Sequence, residues 1–285
     1  MRTAANILRV SLRAVLVLAL AAVGTVLLMR LAPGYFDDAR EMDAQYGQSV
    51  RSQLAAEQSI HTSAYGMAKG TLVQLVHGNL GQSRQYGVPV TGLIAQRAGV
   101  TAGVLLRGIG YGWAIAFCAA LPCSTIRRHP MLWGAPFTLL LAIPTGAMAT
   151  LCLLRDQGGP VVVLTLLLAA RDFKFVERAL RSAWQSPHTL HARAQGLHRY
   201  QLVRSFLMPN VLSSLFALAT LSLITALSAI VPIEVIFDVP GLGQLAWNGA
   251  MNRDLPVLLG VTLIMAIAVS LAGAASEQLR AVETA

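Results

Sequence analysis

Residues 211–231 run for 21 positions without a single charged side chain. A helix of roughly 20 apolar residues crosses a hydrocarbon layer ~30 Å thick. Inside that layer each backbone N–H and C=O must find its partner within the chain, which leaves helices as the natural solution for such a run. Residues 256–273 repeat the pattern. Only 12% of the 285 residues are charged and 55% are hydrophobic, against roughly 25% charged in a soluble domain. The expectation is an all-α, polytopic membrane protein.

Four further runs complete the count. The first, 14–29, follows Arg2, Arg9 and Arg13 and ends in Met29-Arg30-Leu31-Ala32-Pro33-Gly34, with no small-x-small cleavage site. It reads as an uncleaved first span with a cytoplasmic N-terminus, so residues 1–30 form a stub plus span. Residues 31–97 are polar, with five basic and five acidic side chains from Asp37 to Arg97; they read as a modest, partly helical extracytoplasmic segment. The rest, 98–285, reads as the core transmembrane domain. Its first run, 98–121, contains Arg107, and an arginine at mid-membrane costs about 2.5–3.5 kcal/mol. Either the helix starts near Gly108 and Arg107 snorkels outward, the preferred reading, or Arg107 faces a polar cavity. The run 131–154 holds Pro136 and Pro144, where kinks are tolerated if neighbours satisfy the freed carbonyls. The run 161–170 is too short to span alone. It must continue as an amphipathic helix through Phe173, Phe175 and Val176, with Arg171 and Asp172 pointing into a protein groove or the headgroups. With 211–231 and 256–273 the spans number six, and both termini lie inside.

Charge supports that orientation. Residues 171–204 hold seven basic side chains against two acidic ones, the bias expected of a cytoplasmic loop. The net charge of +9 rests almost wholly on arginine, with Lys69 and Lys174 the two lysines; arginines in short loops hold a membrane protein in orientation, so nucleic acid is not expected as a partner. Cys118, Cys123 and Cys152 lie in or beside apolar runs with no histidine at metal-ligand spacing, and His188, His191 and His198 read as solvated loop residues. No metal site and no cofactor is expected. A Gly-x-x-x-x-Gly-Lys-Ser/Thr phosphate loop does not occur, so this chain does not itself hydrolyse ATP. Inverted repeats, the mark of many secondary transporters, are not visible, and no paired His, Asp or Glu side chains within spans suggest an intramembrane enzyme.

Within the basic loop, Ser186 before Pro187 is a helix N-cap followed by proline at the first helical position. His188 to Gln195 reads as a short helix ended by Gly196 in the left-handed region. A second helix carries Leu202, Val203, Phe206 and Leu207 on one side and runs towards Pro209. Ala192 and Ala194 keep the apex slim, and Arg193, Arg199 and Arg204 ring it with charge. Composition alone would also allow a solvated loop that only anchors orientation.

Ala192-Arg193-Ala194-Gln195-Gly196-Leu197, then nine residues after Gly196 the run Phe206-Leu207-Met208-Pro209, resembles the EAA-loop signature of binding-protein-dependent ABC importer permeases, in the form found in the dipeptide/oligopeptide/nickel subfamily. Glu234-Val235-Ile236-Phe237-Asp238-Val239-Pro240-Gly241-Leu242-Gly243 is similar to that subfamily's loop between its last two spans. Asn252-Arg253-Asp254-Leu255-Pro256 resembles the lead into its sixth span, and Leu31-Ala32-Pro33-Gly34 and Gly78-Asn79-Leu80-Gly81 resemble its upstream blocks. Leu190 stands at the motif's glutamate position, and Tyr35 and Asn79 replace acidic residues.

The resemblance implies a type I importer permease with six spans in the bacterial inner membrane. It further implies a cytoplasmic coupling loop (171–210) that engages ATPase subunits, with Ala192, Arg193, Ala194, Gly196 and Pro209 at the contact. Glu234, Phe237, Pro240, Gly241 and Gly243 would form an outer gate or a docking loop for a substrate-binding protein. The implied partners are two ATPase subunits, a second and different permease subunit, an extracytoplasmic binding protein and the lipid bilayer. Peptides, nickel or other small solutes fit this scaffold. The alternatives are a divergent or inactive permease partner, or a secondary transporter not coupled to ATP.

Overall fold

A computed structural model of the chain describes residues 2–31, 80–125, 130–155 and 158–283. Helices make up nearly all of it. In order they are α1 (Arg2–Leu31), α2 (Val90–Thr125), α3 (Pro130–Ala142), α4 (Thr145–Leu154), α5 (Pro160–Trp184), α6 (Pro187–Ala194), α7 (Arg199–Leu202), a π-helical turn (Val203–Leu207), α8 (Met208–Ile236), α9 (Leu242–Met251) and α10 (Leu255–Glu283). Among the described residues, three stretches are long and apolar enough to cross a membrane: Val90–Pro122, Ser214–Ile236 and Leu255–Glu277. The pair Gly134–Ala142 and Thr145–Leu154, bent by 96°, adds a fourth if it forms one broken span. The described part of α1 contributes a shorter apolar segment, Leu12–Leu28.

The proline effects separate by position. Pro136 sits inside α3, whereas the chain turns at Pro144, whose extended backbone (φ −58°, ψ 141°) precedes α4. Proline removes a helical N–H and pushes the residue before it out of the helical region, which breaks the ladder there. The second run differs from its sequence expectation. Its helix starts at Val90, well before Gly108, and Arg107 lies on an exposed stretch of it, with Nε donating to the Gly103 carbonyl at 2.8 Å. The fourth run continues as expected: α5 extends the short apolar run through Phe173 and Val176 to Trp184.

The chain forms two compact units, 1–97 with 245–267 and 98–244 with 268–285. In the first, the Gly81 and Asp254 segments meet. The Ser83 hydroxyl donates to Asp254 Oδ2 at 2.5 Å, and the Gln85 N–H reaches the same oxygen at 3.1 Å. A Cβ at Gly260 would strike Val90 and Ile94, so glycine there lets α10 approach the start of α2 closely. Residues 32–79, most of the expected extracytoplasmic segment, lie outside the described residues.

The second unit is a helical core around α2, α5 and α8. Its buried centre includes Ala116, Phe173, Leu180 and Leu218, and Phe137 of α3 stacks on Phe173 with ring centroids 4.1 Å apart. Gly108 and Gly112 lie one turn apart on α2, and a Cβ at either would collide with Leu164 or Leu168 of α5. Small residues four apart allow this close helix approach, which favours packing where no hydrophobic drive separates helix from lipid.

Candidate coupling hairpin and capped loop

The hairpin begins where Ser186, with an extended backbone, turns its hydroxyl back on the first turn of α6. Ser186 Oγ accepts from Thr189 N–H at 3.4 Å and lies 2.9 Å from Thr189 Oγ1. Thr189 Oγ1 in turn donates to the Ala183 carbonyl at 2.8 Å, so the cap also joins α6 to the end of α5. Pro187 occupies the first helical position, where a missing N–H leaves nothing unmet. At the other end Gly196 adopts φ +79° and its N–H reaches the Arg193 carbonyl at 3.1 Å. Both ends follow the sequence reading.

The interior corrects it in one respect. Ala192 is 2% exposed and does not form the tip; its small side chain lets α6 seat against α5, α7 and the π turn. The exposed small residues are Ala194 and Gly196, and a Cβ at Gly196 would meet nothing within 4 Å. Arg193 reaches back over Trp184, its guanidinium carbon 5.1 Å from the ring centroid, a cation–π contact that stiffens the turn.

The second arm runs towards Pro209 as expected and continues past it: α7, the π turn and α8 form one continuous helical path. Leu202 is buried, and Leu202 and Met208 flank the π turn with ordinary helical backbone angles. Met208 N–H bonds to the Val203 carbonyl, five residues back. Pro209 cannot donate to a preceding carbonyl, and a π turn just before it is where the ladder adjusts. The hairpin is thus a direct extension of two long helices.

Those two helices are clasped inside the core. Trp113 Nε1 of α2 donates to Ser222 Oγ of α8 at 3.2 Å, and Ser222 Oγ lies 2.8 Å from Asp172 Oδ2 of α5 and 2.9 Å from the Leu218 carbonyl. Beside it Arg171 Nη1 donates to the Leu221 carbonyl at 3.0 Å. Asp172 is fully buried, so of the two destinations expected for its charge, the protein groove is where it goes. Sequence reasoning had not singled out this three-helix junction. The signal was available, since Asp172 shares the helical stripe of Thr165, Leu168, Ala169 and Val176, all buried on α5.

The loop after α8 is organised by Glu234. This side chain is fully buried, so it neither faces water nor lines an open path. Its Oε1 accepts from Thr101 Oγ1 at 2.7 Å, and Oε2 accepts from the N–H groups of Gly243 (2.7 Å) and Gln244 (3.2 Å). The Leu242 N–H donates to Thr101 Oγ1 at 2.7 Å. Three N–H groups at the start of α9, left without helical partners, are therefore met by one carboxylate and one hydroxyl. The glycines follow from this. A Cβ at Gly241 would occupy the space of the Glu234 carboxylate, and one at Gly243 would lie 2.8 Å from the Val231 Cα. Pro240 centres a tight turn closed by Gly241 N–H to the Val239 carbonyl at 2.7 Å. Phe237 is half-buried and lines a cleft of about 390 Å³ with Cys152, Leu153, Gly158 and Gly159. No group of three or more metal-ligating side chains gathers among the described residues.

The fold and the sequence have counterparts among known proteins. The structure matches inward-facing MetNI methionine ABC transporter chains with a TM-score of 0.60 at 20% identity, over 68% of this chain and 98% of that one. Among sequences, a protein of Brucella suis biovar 1 (strain 1330) described as a peptide permease is 26% identical over 274 residues, 84% of each chain. The nickel import system permease protein NikB of Staphylococcus aureus (strain bovine RF122 / ET3-1) is 27% identical over 270 residues, 85% of this chain and 79% of that one. The family model for the binding-protein-dependent transport system inner membrane component matches residues 99–282. The chain belongs to this family: it is a membrane-embedded permease subunit of an ABC importer.

Proposed function

We propose that this permease moves peptides or a related small solute across the cytoplasmic membrane, and that the hairpin between Pro187 and Pro209 receives the work of two ATPase subunits. The complete permease has six spans with both termini cytoplasmic, and pairs with a second, different permease subunit. An extracytoplasmic binding protein delivers the cargo. The peptide reading is supported by the Brucella relative, and the nickel import relative keeps a metal complex among the alternatives.

One observation carries the mechanical role. The hairpin is capped onto α5 by Ser186 and Thr189 and runs unbroken into α8, while Ser222 and Asp172 join those two helices farther along. A push on the exposed apex at Ala194 and Gly196 therefore displaces both helices together. Closure of the ATPase pair brings two such hairpins together and rocks the attached spans between inward- and outward-open states. At the other end of α8 the loop from Phe237 to Gly243, held by Glu234, serves as an outer gate or docking element.

The test is reconstitution of the permease pair with its ATPase subunits and binding protein in proteoliposomes. Ligand-stimulated ATP hydrolysis is expected. Gly196→Asp inserts into the membrane at the normal level, since aspartate is among the few side chains that adopt a left-handed backbone such as φ +79° and a Cβ there has open space. It loses at least nine-tenths of transport and of stimulated hydrolysis because a carboxylate enters the contact. Parallel loss of insertion would assign Gly196 to folding instead.

A further inference from the structure

From Arg178 to Ile233 the chain contains no acidic residue, and the hairpin lies wholly within that interval. Arg193 and Arg204 are exposed on it. The same hairpin exposes two large side chains: Leu190 is 51% exposed and Tyr200 69% exposed. Leu190 occupies the place where the signature carries glutamate, so the surface lacks even that one negative charge. The short helix turns its buried residues, Thr189 and Ala192, towards its own neighbours, which leaves the cationic and apolar face outward.

We infer that the partner groove receiving this hairpin has an apolar floor, which takes Leu190 and Tyr200, and a rim of carboxylates facing Arg193 and Arg204. The inference rests on the coupling role proposed above and specifies the chemistry of the ATPase subunit that fits it. Complementary charge sets encounter and register, while desolvated apolar anchors hold the contact. An anionic lipid surface would also attract arginines with interspersed Leu and Tyr. Two features favour a protein groove. The apex ends in exposed Ala194 and Gly196, with open space where a Gly196 side chain would stand, which admits another backbone closely; lipid has no use for that. The capping bonds of Ser186 and Thr189 also hold the face in one shape.

The experiment measures the affinity of the detergent-purified permease pair for its ATPase subunits, with wild type, Leu190→Glu, Leu190→Met and the double variant Arg193→Glu/Arg204→Glu. Near 0.15 M salt the screening length is ~8 Å and at 1 M ~3 Å. The groove described here predicts that high salt weakens wild-type binding, that Leu190→Glu weakens it at least tenfold, that Leu190→Met leaves it within twofold, and that the double reversal weakens it more than Leu190→Glu does. Salt-independent binding, or Leu190→Glu binding as tightly as wild type, overturns the acidic, apolar-floored groove and leaves the coupling role standing. Absence of any binding by the wild type overturns the coupling role itself. A fluorophore at Leu190→Cys that is shielded by vesicles rich in phosphatidylglycerol, but not by the ATPase subunits, assigns the face to lipid and overturns the inference.

Discussion

At the scale of single residues, Glu234 shows how a buried carboxylate organises a loop. Its oxygens act only as acceptors, from one hydroxyl and two backbone N–H groups. A glutamine has one oxygen for this work and would turn an N–H₂ group towards a donor. Removing one partner from a buried donor costs about 1–3 kcal/mol. Glu234→Gln is therefore expected to lower the unfolding midpoint of the purified permease and to increase proteolysis at 237–243, with Gly243→Ala producing the same signature through its clash with Val231. A wild-type cleavage pattern in both variants would show that the loop does not depend on this carboxylate. The sequence resemblance named Glu234 and Gly243 together as residues of an outer gate or docking loop. It could not see that Thr101, more than a hundred positions earlier, completes the cap, because such a pairing leaves no local pattern.

At the scale of helices, the proposed coupling needs the clasp between α5 and α8 if the hairpin is to move as a unit. Ser222→Ala removes the hydroxyl between Trp113 and Asp172 and leaves both with one partner fewer, at a cost of about 1–3 kcal/mol. Ser228→Ala, on the same helix, removes only an exposed bond to the Ile224 carbonyl, and changes of that kind usually stay within about 0.5 kcal/mol. The expected outcome is a lower transport-to-hydrolysis ratio for Ser222→Ala and an unchanged ratio for Ser228→Ala. Equal ratios for all three proteins would remove the clasp from the coupling path. The helices themselves were largely legible. Charge-free runs marked the centres of α8 and α10, and the Ser-Pro and Gly signals marked both ends of α6. The starts were less so. The beginning of α2 at Val90 follows a turn built by Gly81, Ser83 and Gly87, whose bonds tie it to Asp254 and the start of the helix, and a reading based on apolar content could only begin later, at Ala98. Ala192 was recognised as necessarily small, but whether smallness serves a partner or the protein's own packing depends on helix rotation, which an eight-residue helix leaves open in sequence.

For the whole molecule, the proposed coupling takes up force at the hairpin and expresses it in the membrane-embedded helices. Three described stretches can cross the membrane on length and composition, with the bent α3–α4 pair as a fourth. The charged α5 is not among them; it qualifies only as a helix whose Asp172 is sheltered by its neighbours. Labelling Ala194→Cys with a membrane-impermeant maleimide tests the central claim most directly. The residue is exposed at the hairpin apex, and the account predicts labelling in inside-out but not right-side-out vesicles, with protection once the ATPase subunits are bound. Labelling from the outer side, or labelling that the ATPase subunits leave unchanged, would contradict it.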